Sequence, residues 1–365
     1  MNLHSTIWLS AIMAVVVVSV AAAADDDRTA DLLKQPGVCG ADFVFDEVPF
    51  QQCHASTIAE AGDRLVAAWF GGTREGKTDV GIWLARKENN QWTQPVEVAT
   101  GVSPDGNRYP CWNPVLFQPE SGSLMLFYKV GPSPRKWWGM LIRSTDGGRN
   151  WSEPRRLPDG ILGPVKNKPV RLADKTLLAG SSTEHQGWRV HMESTPDEGK
   201  TWRKIVLATD GAKIDAIQPT ILLHPNNRLQ ILCRSRQKHI AESWSADNGR
   251  TWSPMSLTSL PNPNSGIDAV TLRDGRHVLV YNPTKPLLGR WGGPRTPLAV
   301  AISSDGKQWE TALVLENQPG EYSYPAVIQS RDGRVHVTYT WKRRKIKHVV
   351  LDPTKLGPHN IPGGR

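Results

Sequence analysis

The stretch "STDGGRNW" (144–151) decides the fold of this 365-residue chain, because it is repeated along the sequence. The copies are "TPDEGKTW" (195–202), "SADNGRTW" (245–252), the shortened "SSDGKQW" (303–309) and the degenerate "RKENNQW" (86–92). In the full copies, Asp and Gly favour a tight turn, and the Trp begins the next strand and packs beneath the turn. The repeat therefore predicts a recurring β-hairpin whose Asp-Gly turn is structural.

A second motif lies out of phase with the first and gives a sixth copy. A polar or aromatic residue precedes a small residue or Pro, and an apolar, β-branched run then leads to a turn and another apolar strand. The copies begin at His54, Asn113, Lys168, Gln218, Asp268 and Tyr324. Six units of about four short strands predict an all-β fold, a six-bladed β-propeller, over the alternative of a β-sandwich.

The sequence also predicts the domain boundaries. Residues 1–24 have an apolar core and end in a run of alanines, which is typical of a secretory signal peptide cleaved near Ala24. An N-terminal segment (25–44) precedes the propeller (45–352), and a tail (353–365) follows it. We expect the last strand, "IKHVVLD", to close the ring against the first blade, because closure removes exposed sheet edges.

Charge and hydropathy restrict the location and the partner. No other stretch approaches the ~20 apolar residues that span a bilayer, so we predict a secreted or periplasmic protein with no membrane span. The net charge of +9 favours an anionic partner, although it also serves solubility. The basic run "WKRRKIKH" (341–348) resembles a nucleic-acid patch, but a strand with one solvated face has the same pattern, and we expect no nucleic-acid partner.

The four cysteines are Cys39, Cys53, Cys111 and Cys233, and their spacings fit no metal motif. Export permits disulfides, and a bridge between Cys53 and Cys111 is one possibility, because both lie close to predicted strand starts. The sequence indicates no metal or other cofactor, and we expect a monomer.

The predicted architecture indicates where a ligand would bind. The first strand of each blade lines the central channel, and the six motif starts should converge at one mouth of that channel to form a polar pocket. "GPVKNKPV" (163–170) brings the cations Lys166 and Lys168 to this mouth. "RKWWGM" (135–140) offers Trp137 and Trp138 as a sugar-stacking platform, or as a strand pair with one core Trp.

The Asp-Gly repeats on a six-bladed frame resemble the sialidase (neuraminidase) superfamily, specifically its BNR, or Asp-box, branch, over nearly all of the mature chain. The resemblance implies an acid/base carboxylate after the second strand of the first blade, which falls on Asp79, with Glu75 nearby. It also implies arginines that hold the substrate carboxylate. These fall on Arg234, with Arg236 as an alternate, and on Arg295.

The resemblance further implies a Tyr nucleophile in a Tyr-Ser motif. "GEYSYPAV" (320–327) offers Tyr322, which is followed by Ser, with Tyr324 close by. A neutral phenol suits an anionic sugar, because a carboxylate nucleophile would be repelled by it.

Two positions depart from the family pattern. The first sialidase Arg belongs to a Phe/Tyr-Arg-Ile-Pro motif, where this chain has "FQQCHAST" (50–57), with His54 and no Arg. The Glu that activates the Tyr is replaced by Gln218, which cannot take a proton, and Asp215 or Asp268 are possible substitutes. Both departures argue against strict exo-α-sialidase activity.

Three functions follow from this sequence. The first is an exported glycoside hydrolase that acts on a terminal acidic sugar, either sialic acid or a uronic-acid-containing glycan, so the partner is an acidic oligosaccharide or glycoconjugate. The second is a uronate-directed lyase or rhamnosidase-like enzyme that uses His54 as its acid or base. The third is a non-catalytic glycan-binding propeller.

Overall fold

Six antiparallel sheets surround a central channel in the computed structural model, which describes residues 29–357 except 104 and 209–213. The predicted all-β, six-bladed β-propeller is confirmed. The predicted signal peptide (1–24) lies outside the described residues. Within the described ranges, no helix is long and apolar enough to cross a membrane.

The blades follow one another along the chain. Blade one contains β2 (Gln52–Ala61), β3 (Arg64–Gly72) and β4 (Gly81–Glu88), with β5 (Gln91–Trp92) and β6 (Val96–Ala99) both pairing with β4. Blade two contains β7 (Cys111–Phe117), β8 (Leu124–Val130), β9 (Trp138–Ser144) and β10 (Arg155–Arg156). Blade three contains β11 (Val170–Arg171), β12 (Leu177–Thr183), β13 (Arg189–Thr195) and β14 (Arg203–Val206).

The second half of the ring repeats this arrangement. Blade four contains β15 (Ala216–Leu223), β16 (Leu229–Ser235), β17 (His239–Ser245) and β18 (Ser256–Pro261). Blade five contains β19 (Asp268–Thr271), β20 (His277–Tyr281), β21 (Leu298–Ser303) and β22 (Glu310–Glu316). Blade six contains β23 (Tyr322–Gln329), β24 (Val335–Trp341), β25 (Lys345–Leu351) and the N-terminal β1 (Val38–Phe43). A helical turn (29–33) and a 3₁₀ turn (Pro353–Lys355) flank the ring.

The ring closes differently from the prediction. β25 does not pair with blade one; it is the third strand of blade six, and β1 pairs with it as the outer strand, with Ala41 opposite Val349. The sheet structure therefore begins before residue 45, inside the predicted N-terminal segment. Closure by an early strand joins the two ends of the chain within one blade, and "VCGADF" carries no repeat motif that could have revealed it.

A buried chain of polar side chains crosses this closure. Asp42 of β1 lies 2.8 Å from Nδ1 of His348, whose Nε2 lies 3.0 Å from Nδ1 of His336. The Nε2 of His336 in turn lies 3.0 Å from the hydroxyl of Ser330. Lys87 of blade one donates to Asp42 at 2.7 Å, so the same carboxylate also ties the closing strand to the neighbouring blade.

The Asp-Gly turns have the structural role that their sequence predicts. In the copy at 245–252, Asp247 accepts backbone N–H bonds from Arg250 and Thr251, and Trp252 Nε1 donates to the carbonyl of Gly249 at 3.1 Å. The turns join third and fourth strands, so they lie on the face opposite the channel mouth at which the first strands begin.

The suggested disulfide is absent. All four cysteines are free, and Cys53 and Cys111 are buried in two separate apolar clusters. Burial raises the pKa of both thiols, so they act as small apolar core residues.

Candidate functional site

Bulges at the start of the inner strands aim side chains at the channel mouth. Blades one, two, four and six each show a register shift there, and one residue in each shift adopts a left-handed backbone. These residues are Ala55, Asn113, Gln218 and Tyr324, with φ of 55°, 39°, 59° and 52°. Left-handed non-glycine residues are costly and cluster at functional sites, so the repeated bulge marks the mouth as the candidate site.

The hydroxyl of Tyr324 is the centre of the polar cluster at the mouth. Arg234 Nη1 donates to this oxygen at 2.6 Å, and Gln218 Nε2 donates to it at 3.3 Å. The Cζ of Arg295 lies 5.8 Å from the Tyr324 ring centroid, and Nζ of Lys166 lies 6.0 Å from it. Two hydrogen-bond donors and the nearby cations therefore surround the phenol oxygen with positive charge.

His54 lies behind Tyr324 and does not face the ligand space. The two ring centroids are 4.1 Å apart, Phe70 covers another side at 5.6 Å, and the His54 side chain is only 2% exposed. Nδ1 lies 3.0 Å from the hydroxyl of Thr340. Burial and the surrounding cations hold the pKa of His54 well below its ordinary value, so the imidazole is neutral at pH 7.

Two arginines and two carboxylates form a chain of ion pairs on the blade-six side of the mouth. Arg295 Nη1 and Arg343 Nε donate to the same Glu321 oxygen at 2.7 and 2.8 Å. Arg343 Nη1 also donates to Glu75 at 2.6 Å. Although burial raises the pKa of Glu321, the two guanidiniums keep it below its ordinary value, so this carboxylate stays ionised.

Arg234 is buried, and no carboxylate of the described residues forms an ion pair with it. Its Nε donates to Asn264 Oδ1 at 2.8 Å and its Nη1 to Tyr324, and no ion pair in the described part of the chain includes it. Its guanidinium lies over the ring of Trp188, 5.0 Å from the centroid. Glu184 attracts this guanidinium through space but makes no ion pair with it, and a buried cation without a direct ion pair favours an anionic ligand beside it.

Two of the predicted mouth residues lie elsewhere. Lys168 and Asp268 form a buried ion pair at 2.9 Å, and Asp268 also accepts from the hydroxyl of Thr220 and from the backbone N–H of Val327. In blade three the left-handed residue is Lys166, two positions before Lys168. The role of Lys168 and Asp268 is to hold inner strands together.

Lys166 occupies the place near Tyr324 that was predicted for the cations of "GPVKNKPV". Its ammonium donates to Asn167 Oδ1 at 2.9 Å, to the carbonyl of Ile267 at 2.6 Å and to the carbonyl of Pro325. Burial lowers the pKa of Lys166 to about 7. The side chain thus links blades three, five and six directly beneath Tyr324.

Tyr322 is not in the pocket. It is 0% exposed and packs in the apolar core of blades five and six, near Trp341. The candidate nucleophile is therefore corrected to Tyr324. The bulge between Ser323 and Ala326 is the physical reason, because it decides which Tyr of "GEYSYPAV" faces the channel.

Asp79 lies in the predicted loop after β3, where Thr73 binds its carboxylate. Its carboxylate accepts from the N–H and hydroxyl of Thr73 at 2.7 and 2.6 Å. It lines a cavity of about 310 Å³ with Glu97 and Arg108, and none of the residues around Tyr324 described above lines that cavity. Although burial raises the pKa of Asp79, the Thr73 hydrogen bonds keep it below its ordinary value.

The two tryptophans of "RKWWGM" do not form one platform. Trp137 packs against Trp112 at 6.1 Å, whereas Trp138 packs against Tyr109 at 5.3 Å and lines a separate cavity of about 700 Å³ between blades one and two. The structure gives Asn113 no side-chain role at the cluster beyond its left-handed backbone.

The sequence of the propeller matches a known family. The sequence profile of the BNR repeat-like domain matches residues 63–337. The chain belongs to the BNR repeat-like family. No significant match was found among curated proteins.

Solved structures share the fold of this BNR repeat-like propeller. A protein of unknown function from Dyadobacter fermentans has a TM-score of 0.70 at 16% identity, over 87% of this chain and 99% of its own. A Hadza microbial sialidase has 0.68 at 16%, over 84% and 66%. The NanB sialidase from Streptococcus pneumoniae has 0.66 at 12%, over 87% and 71%. At these identities, the similarity establishes the fold alone.

Sequence reasoning missed several residues that surround the BNR propeller's mouth. Loops between second and third strands return to this mouth, and they carry Arg343, Trp188, Trp291 and Glu184. The basic run 341–348 was the one signal for Arg343. The turn between β24 and β25 interrupts this run, which places Arg343 at the end of a blade and not on a strand face.

Proposed function

We propose that this protein is a glycoside hydrolase that acts on a terminal sugar bearing a carboxylate, bound at the channel mouth over Tyr324. The observation that carries the proposal is the 2.6 Å hydrogen bond from Arg234 to the Tyr324 hydroxyl, in a site where Arg234 has no carboxylate partner among the described residues. The superfamily supports this chemistry, whereas the particular sugar is our inference.

The arginines supply the recognition. A sugar carboxylate beside Arg234 and Arg295 would provide the missing counter-ion and form charge-assisted hydrogen bonds. The first Arg of the sialidase pattern is absent, since His54 stands there and is buried behind Tyr324. Arg343 brings a further guanidinium to the same mouth from blade six, although Glu321 and Glu75 already bind it.

Tyr324 is the proposed nucleophile. Its oxygen attacks the anomeric carbon and its proton passes to water, while the bond to the leaving-group oxygen breaks and that oxygen takes a proton from a carboxylic acid of the site. Water later hydrolyses the glycosyl-tyrosine and restores the phenol. Gln218 cannot accept the phenolic proton, and Arg234 donates a charge-assisted hydrogen bond to the attacking oxygen.

Two carboxyl groups are candidates for the acid that protonates the leaving group. Asp79 is the one that the family resemblance implies, but its low pKa and its bonds to Thr73 do not suit an acid at neutral pH. Burial raises the pKa of Glu184, which accepts a hydrogen bond from Trp188 Nε1 beside Arg234. A raised pKa is the property that a carboxylic general acid needs.

Elimination from a uronate is the second candidate, favoured by the Gln at position 218. Without a carboxylate base beside it, a phenol is better suited to proton transfer than to the nucleophilic attack that a standard sialidase Tyr makes. In this case deprotonated Tyr324 would take the C5 proton while Arg295 neutralises the uronate carboxylate. The C4–O bond would break, a C4=C5 double bond would form, and the departing oxygen would take a proton from water. His54 would then support the Tyr324 ring, since its burial keeps it from the substrate.

An activity screen tests the proposal. The purified protein is incubated with sialyl, rhamnosyl-uronate and uronic acid oligosaccharides, and reducing ends and the absorbance of unsaturated uronates are followed. We expect new reducing ends, lost by at least about 100-fold in Tyr324→Phe. Tyr128→Phe is the matched control, because its buried hydroxyl has no hydrogen-bond partner among the described residues.

Each outcome of the screen is informative. Unsaturated products without simple hydrolysis would favour elimination. Glycan binding without any turnover would contradict both enzyme proposals and favour a binding protein.

A further inference from the structure

Arg236 packs against two tryptophans that form a corner beside the Tyr324 site. Its Cζ is 4.5 Å from the Trp188 ring centroid and 4.3 Å from the Trp291 centroid, and the two indoles meet edge to face at 5.5 Å. Aromatic rings on two adjacent sides of a guanidinium leave the rest of its N–H edge for a ligand, and that edge suits bidentate binding of carboxylate or sulfate.

This stack is tied to the proposed catalytic pocket. Trp188 contacts Arg234 as well as Arg236. Asn264 accepts from Arg234 Nε at 2.8 Å and donates to the carbonyl of Trp291 at 2.9 Å. The two arginines are two residues apart at the end of β16, so their Cα atoms are separated by about 6.6 Å, comparable with one sugar residue.

Cations outnumber carboxylates around this stack, where Arg189, Arg234 and Arg236 face Asp215 and Glu184. Asp215 is the nearest carboxylate to Arg236, at 3.8 Å, but it is bound more closely by Arg189, at 2.9 Å. The Nε of Arg236 is buried without a partner among the described residues. The Arg236 side chain is nevertheless 33% exposed and Trp291 is 63% exposed, so a ligand can reach both.

We propose that Arg236, Trp188 and Trp291 form a second anion subsite, which binds an acidic group on the sugar next to the one that is cleaved. The inference rests on the proposed function, because a terminal sugar over Tyr324 requires the adjacent subsite to hold the leaving-group sugar. The substrate class is therefore an oligosaccharide with two neighbouring acidic residues, the second bearing a carboxylate or a sulfate, and its ring would stack on the exposed Trp291 face.

The test compares two glycans with the same terminal acidic sugar and either a neutral or an acidic neighbour. We expect the wild-type protein to have a higher kcat/KM for the diacidic glycan by about tenfold or more, mainly through KM, and to lose this preference as salt is added. Arg236→Gln should reduce the preference about tenfold. Arg228→Gln is the matched control, since Arg228 stacks on Trp244 at 5.3 Å on the opposite face.

Equal kcat/KM values for the two glycans in the wild-type protein, or equal losses for both in Arg236→Gln, would overturn the subsite. Failure to cleave either glycan would instead contradict the proposed function. In that case calorimetric titration with the same glycans decides the subsite: tighter binding of the diacidic glycan that Arg236→Gln abolishes supports it, and equal affinities reject it. Thermal melting of each variant verifies that it is folded.

Discussion

Gln218 Nε2 lies 3.3 Å from the hydroxyl oxygen of Tyr324, across the channel mouth from blade four to blade six. The sialidase resemblance expects a carboxylate at this position. An amide there donates to the phenol and cannot accept its proton. The fold of this protein matches the sialidase pattern, whereas the residue beside Tyr324 does not.

Gln218→Glu should raise hydrolysis of a terminal acidic sugar. The new carboxylate would accept the Tyr324 proton, and general base catalysis contributes on the order of 100-fold or more. The measurement is kcat with an acidic aryl glycoside across pH. Gln308→Glu, on an exposed turn at the opposite face, adds the same charge as a control, and an unchanged kcat in Gln218→Glu would argue against Tyr324 as nucleophile.

Arg234→Lys should lower kcat/KM for acidic sugars by about 100-fold. A lysine keeps the charge but loses the planar fork that binds Asn264 and Tyr324 together. Steady-state kinetics of Arg228→Lys provide the comparison. Equal kinetics in the two variants would show that charge alone is required at Arg234.

Glu184→Gln and Asp79→Asn distinguish the two candidate acids. If Glu184 protonates the leaving group, Glu184→Gln should lose about 100-fold in kcat with a poor leaving group and much less with an activated aryl leaving group. Activity of the wild type should fall as the pH rises through the raised pKa of Glu184, and this limb should be absent in Glu184→Gln. The reverse pattern in Asp79→Asn would return the role to Asp79.

Lys166→Met should destabilise the propeller by about 2–5 kcal/mol. The substitution leaves the buried carbonyls of Ile267 and Pro325 without their shared donor, at a cost of about 1–3 kcal/mol each. Urea unfolding measures the change. Lys175→Met, on an exposed turn of blade three, should have little effect, and equal stability of the two variants would contradict the structural role of Lys166.

Stability should fall between about pH 6.5 and pH 4 through His336. Burial and the adjacent His348 lower its pKa to about 4, with Lys87 acting in the same direction and Asp332 and Asp42 opposing it. The unfolded chain therefore binds more protons in this window, and the loss approaches about 3 kcal/mol below pH 4. Urea midpoints at pH 7 and 4.5 measure it.

His336→Gln provides the control for this pH effect, because the amide does not titrate. Its midpoint should change less between the two pH values than that of the wild type. The same pH dependence in both proteins would mean that another group, such as His348, dominates the closure.

Local patterns predicted the parts of the structure that local chemistry creates. The Asp-Gly turn and its following Trp form within eight residues, as in 245–252, so their spacing predicted the recurring hairpins. Gln218 was predicted from its place in a repeat, and Arg234 from the sialidase resemblance. Their meeting at Tyr324 could be expected only as a convergence of strand starts.

The tertiary structure alone decided which side chains meet. One extra residue in the β23 bulge turns Tyr324 to the mouth and leaves Tyr322 in the core, although both fit the same motif. Arg343 and Trp291 come from loops that carry no repeat, and β1 closes the ring across more than 300 residues of sequence. The spacing of the repeats determines which residues are neighbours along a strand. Contacts between blades depend instead on how six separate sheets pack around one channel.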